Sequence, residues 1–162
     1  MHSKKSKLPI FKRLMATALA LITPVVVAGC NNPISTGFEI GLRIAEGDTA
    51  LKRDDYKTAE KKYREAMDMS DQIKSRLLLA HALTKLAKVQ ERDNRSKEAE
   101  ENYKKALEMF EEVKDDIPSF DKNYPRECVD AYAKLLRSQN KQDEARKIEE
   151  RGKAISSAQK PK

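Results

Sequence analysis

Few residues in this chain suit nucleophilic or metal chemistry: two Cys, two His and no Trp among 162 residues. A thiolate mechanism would need Cys128 beside His81. Catalysis needs a nucleophile and acid–base groups held in one pocket, and no further residue pattern completes such a set. The chain has no P-loop, no GxGxxG, no HExxH and no CxxC, so the common phosphate, dinucleotide, zinc-protease and redox signatures are absent. So few His and Cys also argue against a zinc framework. The expectation is therefore no catalytic residues, no metal and no cofactor, with His81 lining an inner surface. Cys128 reads either as a buried small hydrophobe or as an intermolecular bridge. The acidic run Glu98, Glu100 and Glu101 alternates with Lys97, Lys104 and Lys105. It reads as a solvated helix face with i, i+4 pairs, Glu100–Lys104 and Glu101–Lys105, in preference to a cation site.

The one cysteine with a reactive context is Cys30. Met1–Leu14 is basic, and residues 1–29 hold Lys4, Lys5, Lys7, Lys12 and Arg13 with no acid. Met15–Gly29 is an uncharged, largely apolar run interrupted by Pro24. At about 15 residues it is short for a membrane span, which takes about 20, and it fits the hydrophobic region of an export signal. An uncleaved N-terminal anchor is the alternative. Without this segment 28 basic residues face 26 acidic ones. The basic character thus belongs mostly to the leader and is no nucleic-acid footprint. Val27-Ala28-Gly29-Cys30 resembles the lipobox of bacterial lipoproteins. The resemblance implies cleavage between Gly29 and Cys30, a diacylglycerol on the Cys30 thiol and, in most relatives, acylation of the new amino group, palmitate included. Two or three acyl chains give stable membrane attachment where one alone is marginal. Asn31, in place of an Asp, implies the outer membrane if the envelope has two.

The elements behind this leader carry the rest. Five Gly and 6% aromatic residues argue against a β-sandwich. Residues 31–37 read as a short polar linker and 157–162 as a polar tail, with a helical domain over 38–156. Ala59, Tyr63, Ala66, Ser70 and Ile73 form one apolar stripe at helical spacing. Ala99, Tyr103, Ala106, Phe110 and Val113 repeat it 40 residues later. Six identities relate Asp55–Asp71 to Arg95–Glu111. The first of these helices follows one over Phe38–Arg53 and the second follows one over Ile73–Arg92, in which Leu79, Leu83 and Leu86 share a face. A third pair is expected over Arg126–Ser138 and Lys141–Ile155, with Pro125 in a first turn and Gln139-Asn140 as the connection. Asp55 and Ser96 are the expected N-caps.

Gly47, Ala59, Tyr63 and Ala66, and then Leu83, Leu86, Ala87, Ala99, Tyr103 and Ala106, have the spacing of the tetratricopeptide repeat (TPR). The chain resembles that family over residues 40–155, in the longer form found in kinesin light chains. The third unit departs from the pattern: Glu149 stands where an aromatic belongs and Gly152 where Ala belongs. The resemblance implies an all-α helix–turn–helix array, a TPR-like α-solenoid of about three pairs, which is near the minimum for stability. It also implies a groove lined by the first helix of each pair. Carried over, the groove positions are Ile44, Asp48, Leu51 and Lys52, then His81, Thr84, Lys88, Glu91 and Arg92, then Glu127, Asp130, Lys134, Arg137 and Ser138. The expected binding set is Asp48, Lys52, His81, Lys88, Arg92, Lys134 and Arg137. Ile44 and Asp48 replace the Lys and Asn of the carboxylate-clamp subtype, which argues against a chaperone C-terminus as ligand. An acidic peptide and plain solvated charge are the two readings of the basic positions.

The expected function is a membrane-anchored, non-catalytic interaction scaffold or assembly factor in a bacterial envelope. It would bind an envelope protein or peptide segment and no nucleic acid. The alternative is a self-associating structural lipoprotein, a homo-oligomer that covers its own open end. The Lys141–Ile155 helix capping the array itself is the other way to close that end.

Overall fold

The computed structural model describes residues 33–158; the leader, Gly29 and Cys30 lie outside them. The described residues form six α-helices: α1 (Pro33–Lys52), α2 (Tyr56–Gln72), α3 (Arg76–Arg92), α4 (Ser96–Glu112), α5 (Asn123–Ser138) and α6 (Gln142–Ala158). A 3-10 turn, Ser119–Asp121, precedes α5. Among the described residues there is no strand. Consecutive helices pack as pairs, α1 on α2, α3 on α4 and α5 on α6, and α3 also touches both α1 and α5. This is a TPR-like all-α solenoid of three helix pairs.

The tight connections share one chemistry. Asp54, Lys74, Asn94 and Asn140 each adopt positive φ, between 54° and 63°. The residue after each turns its N–H back to the carbonyl five positions earlier. These bonds run from Asp55 to Ala50 at 3.0 Å, Ser75 to Ser70 at 2.9 Å, Arg95 to Gln90 at 2.8 Å and Lys141 to Leu136 at 2.9 Å. That geometry closes the helix C-terminus and satisfies its last carbonyls. Asp55 then caps α2, its carboxylate accepting from the Thr58 N–H at 3.0 Å.

Several expectations about boundaries need correction. α1 begins at Pro33, inside the segment expected to be a linker; proline suits a first helical turn because its missing N–H is not needed there. α3 begins at Arg76, after Ser75 caps it, and not at Ile73. Ser96 is the first residue of α4, preceded by Arg95, which makes no side-chain cap. α6 runs to Ala158, into the expected tail.

The core follows the small–aromatic spacing. Ala59, Tyr63, Ala66, Ala99, Tyr103 and Ala106 are all fully buried. Gly47 shows why size matters here: a Cβ on it would meet Tyr63 Cε1 at 2.5 Å. In the third pair Gly152 lies against Val129, whose methyls would be 2.8 Å from an added Cβ. The close approach is thus kept although the aromatic is missing. α3 is buried on two sides. Ala82, Leu86 and Val89 join the core with α1 and α2, while Ala80, Leu83 and Ala87 join the core with α4 to α6. Leu83 and Leu86 therefore serve different cores, which a one-face reading of α3 cannot anticipate. The outer side of α6 carries exposed Arg146, Lys147, Glu150 and Lys153, a polar surface suited to ending a solenoid.

Candidate functional site

The first helices of the second and third pairs form the walls of a groove of about 510 Å³. From α3 come Lys88, Glu91 and Arg92; from α5 come Asn123, Arg126, Glu127, Asp130, Ala131 and Lys134. Helical spacing places each set along one side of its helix. Lys88 and Arg92 are one turn apart, as are Glu127 and Asp130, and then Lys134.

The floor of the groove is an ion-pair network that joins three helices. Glu127 accepts from Lys88 Nζ at 2.8 Å and from Lys85 Nζ at 2.9 Å. Lys85 also reaches Asp48 on α1 at 3.4 Å, and Tyr63 Oη donates to the other Asp48 oxygen at 2.7 Å. Burial alone would raise the Glu127 carboxyl, but the two ammonium groups outweigh it and hold it below its usual range. Glu127 is therefore ionised at neutral pH.

His81 sits below this network. Its ring stacks on Tyr124 of α5, with centroids 3.7 Å apart and planes 15° from parallel. Its Nε2 is 3.8 Å from Glu127, and its buried Nδ1 has no hydrogen-bond partner. Burial, and then the positive charge of Lys85, lower its pKa to about 4. The imidazole is neutral at pH 7. Cys128 is fully buried, and its Sγ donates to the Tyr103 carbonyl at 3.7 Å. Burial pushes the thiol up to about 12. A thiol held protonated and aimed at a backbone carbonyl is not an activated nucleophile. Cys128 takes the buried small-hydrophobe role. Among the described residues no group of three or more His, Cys, Asp or Glu could hold a metal ion.

The residues singled out in the sequence separate into three groups. Lys88, Arg92 and Lys134 come together around the groove, with Asp48 and His81 beneath it. Lys52 is exposed at the end of α1 and does not line the groove. Arg137 turns away and pairs with Glu149 of α6 at 2.6 Å, because it lies on the side of α5 that faces its own pair partner. Ile44 and Leu51, carried over as groove positions, are buried between helices instead. The i, i+4 pair expected for Glu100 is replaced by a longer-range one. Glu100 binds Lys141, at the start of the third pair, at 2.9 Å. Four residues that shape the groove were not anticipated: Lys85 in its floor, and Asn123, Arg126 and Ala131 along its wall. The spacing His81, Lys85, Lys88 and Arg92 along one helix is the signal that could have found Lys85.

Not all the groove charge is neutralised within the chain. Among the described residues, Arg126 and Lys134 make no ion pair, and Arg92 meets only the Leu51 carbonyl, at 3.3 Å. With Asp130 also unpaired and Glu91 accepting only from the Tyr103 hydroxyl, at 3.2 Å, the uncompensated charge around the groove is three positive to two negative. This arrangement can hold a segment of opposite charge by its backbone and carboxylates. It offers no acid–base or nucleophilic set.

The Tetratricopeptide repeat family matches residues 43–112, from within α1 to the end of α4. The matched stretch covers the two pairs whose small and aromatic positions are complete; the third pair lies beyond the match. Comparison with curated proteins and with solved structures gives no match. Tetratricopeptide repeats generally mediate protein–protein contacts, and the groove between α3 and α5 is one surface that could make such a contact.

Proposed function

We propose that this protein is a membrane-anchored, non-catalytic interaction module of a bacterial envelope. In this reading Cys30 carries the lipid and the α3–α5 groove binds an acidic segment of an envelope protein. The observation that carries the groove half is the set Arg92, Arg126 and Lys134, left without carboxylate partners around a cleft whose floor is already neutralised. The anchor half rests on Val27-Ala28-Gly29-Cys30 behind a basic, then apolar, leader. The outer membrane, facing the periplasm, is the location that Asn31 favours. No described helix is long and apolar enough to cross a membrane. Anchoring by lipid also raises the effective concentration of the groove for a partner at the same surface, so a modest affinity suffices.

The two halves are tested separately. Substituting Cys30→Ser should abolish incorporation of labelled palmitate and release the protein from sedimented membranes. In a pull-down from detergent-solubilised envelopes, R126E/K134E should lose the partner while remaining on the membrane. These positions are preferred to Lys88, because K88E would set a carboxylate against Glu127. Retention of every partner by R126E/K134E would exclude the groove as the binding surface.

A further inference from the structure

α1 carries a second surface that neither the array nor the groove uses. Its inner side, Ile40, Ile44 and Leu51, is buried against the repeat. Its outer side presents Phe38, Leu42, Ala45 and Thr49, spaced i, i+4, i+7 and i+11, all exposed. Phe38 is 70% exposed and Leu42 47%. This stripe has no charge over three turns. The nearest acid around the helix, Glu46, is already held by Lys62 at 2.8 Å and by Arg43 at 3.1 Å. The opposite end of the array differs: the outer side of α6 is lined with exposed Arg146, Lys147, Glu150 and Lys153. A solenoid needs polar end faces to stay soluble, and among the described residues the α6 end has one while the α1 stripe does not.

The tether names the occupant. α1 begins at Pro33, three residues after Cys30. Three extended residues span about 10 Å, and five helical residues from Pro33 to Phe38 add about 8 Å. With acyl chains on Cys30, Phe38 lies within about 18 Å of the point of lipid attachment. An amphipathic helix of this kind lies in the headgroup plane with its apolar side at the acyl boundary. We propose that the Phe38–Leu42–Ala45 side of α1 docks on the lipid bilayer, so that the membrane itself covers the open end of the array. This rests on the lipid-anchor reading above. It adds that the array is held in one orientation, with α1 against the bilayer, and does not swing freely on its tether.

The chain has no tryptophan, so F38W introduces a single fluorescent reporter. The lipidated full-length F38W protein is reconstituted into phosphatidylethanolamine–phosphatidylglycerol vesicles with and without brominated acyl chains. Flotation reads the anchor, and indole emission reads the docking. The inference expects emission shifted to the blue and quenched about two-fold or more by the brominated chains, as for a ring at the acyl boundary. L42W should behave alike one turn on. F120W, which places the reporter at the 81% exposed Phe120 beyond α4, should not. If F38W and L42W float with the vesicles but emit as in water, the docking is wrong and the anchor stands. If the protein neither floats nor takes up labelled lipid, both fall. A blue shift without vesicles that grows with protein concentration assigns the stripe to a second copy of the chain and overturns the bilayer as occupant.

Discussion

Gly47 faces the ring of Tyr63 so closely that a Cβ would sit 2.5 Å from Cε1 and 2.8 Å from Cδ1. The ring cannot retreat. It is fully buried, and its hydroxyl is tied to Asp48, the residue after Gly47, at 2.7 Å. Substituting Gly47→Ala sets two effects against each other. Alanine favours the helix by about 1 kcal/mol, while overpacking a locked contact costs about 1–3 kcal/mol. The expected net result is a loss of stability, seen as a lower urea midpoint with an unchanged slope. A gain would mean that the ring is free to move.

Lys74 is the one left-handed turn residue that is neither Asp nor Asn, at φ 54°. That conformation costs an ordinary side chain about 1–2 kcal/mol, and glycine gives part of this back through its freer unfolded chain. K74G should therefore stabilise the protein by about 0.5–1 kcal/mol. The same change at Asn94, φ 61°, should do less. Chemical denaturation of the two variants side by side decides it.

Acid should weaken the fold through His81. It faces Lys85 and Lys88 on its own helix, Glu127 and Tyr124 on α5 and Asp48 on α1. Its pKa falls from 6.5 to about 4 on folding. A depressed histidine favours the folded state above the unfolded pKa, and that contribution is lost as pH falls from 6.5 toward 4. At pH 5 the loss is about 2 kcal/mol. Glu127, whose pKa is lowered, adds its own loss only at more acidic pH. Stability measured at pH 7.5 and 5 should drop for the native chain and drop much less for H81Q. Equal drops would place the titration elsewhere.

Glu127 and Lys85 should be energetically coupled. E127Q leaves two ammonium groups facing each other in a half-buried site and should cost about 1–2 kcal/mol. K85M in the same chain removes one of them and should recover part of the loss, giving a coupling of about 1 kcal/mol in a double-mutant cycle. Additive effects would mean that solvent screens the pair.

Local order was readable from the chain because it depends on neighbours. The Ala59–Tyr63–Ala66 and Ala99–Tyr103–Ala106 spacings fix one buried side of α2 and of α4 through the 3.6-residue period alone. Asp55 could be named as a cap because its partner, the Thr58 N–H, lies three residues away. The groove was legible only in part. Lys88, Arg92 and Lys134 follow from their place in a repeat, but the partner of Lys88, Glu127, is 39 residues distant. Whether Arg137 turns to the groove or to Glu149 depends on how α5 is rotated against α6, and a few tens of degrees decide it. Residue types and short spacings were enough to set the helix pairs and the small–aromatic contacts between them. Tertiary structure alone decided which charges cancel, which remain open around the groove and that α1 is left with an uncovered apolar side. Those outcomes depend on distances between helices that no local pattern sets.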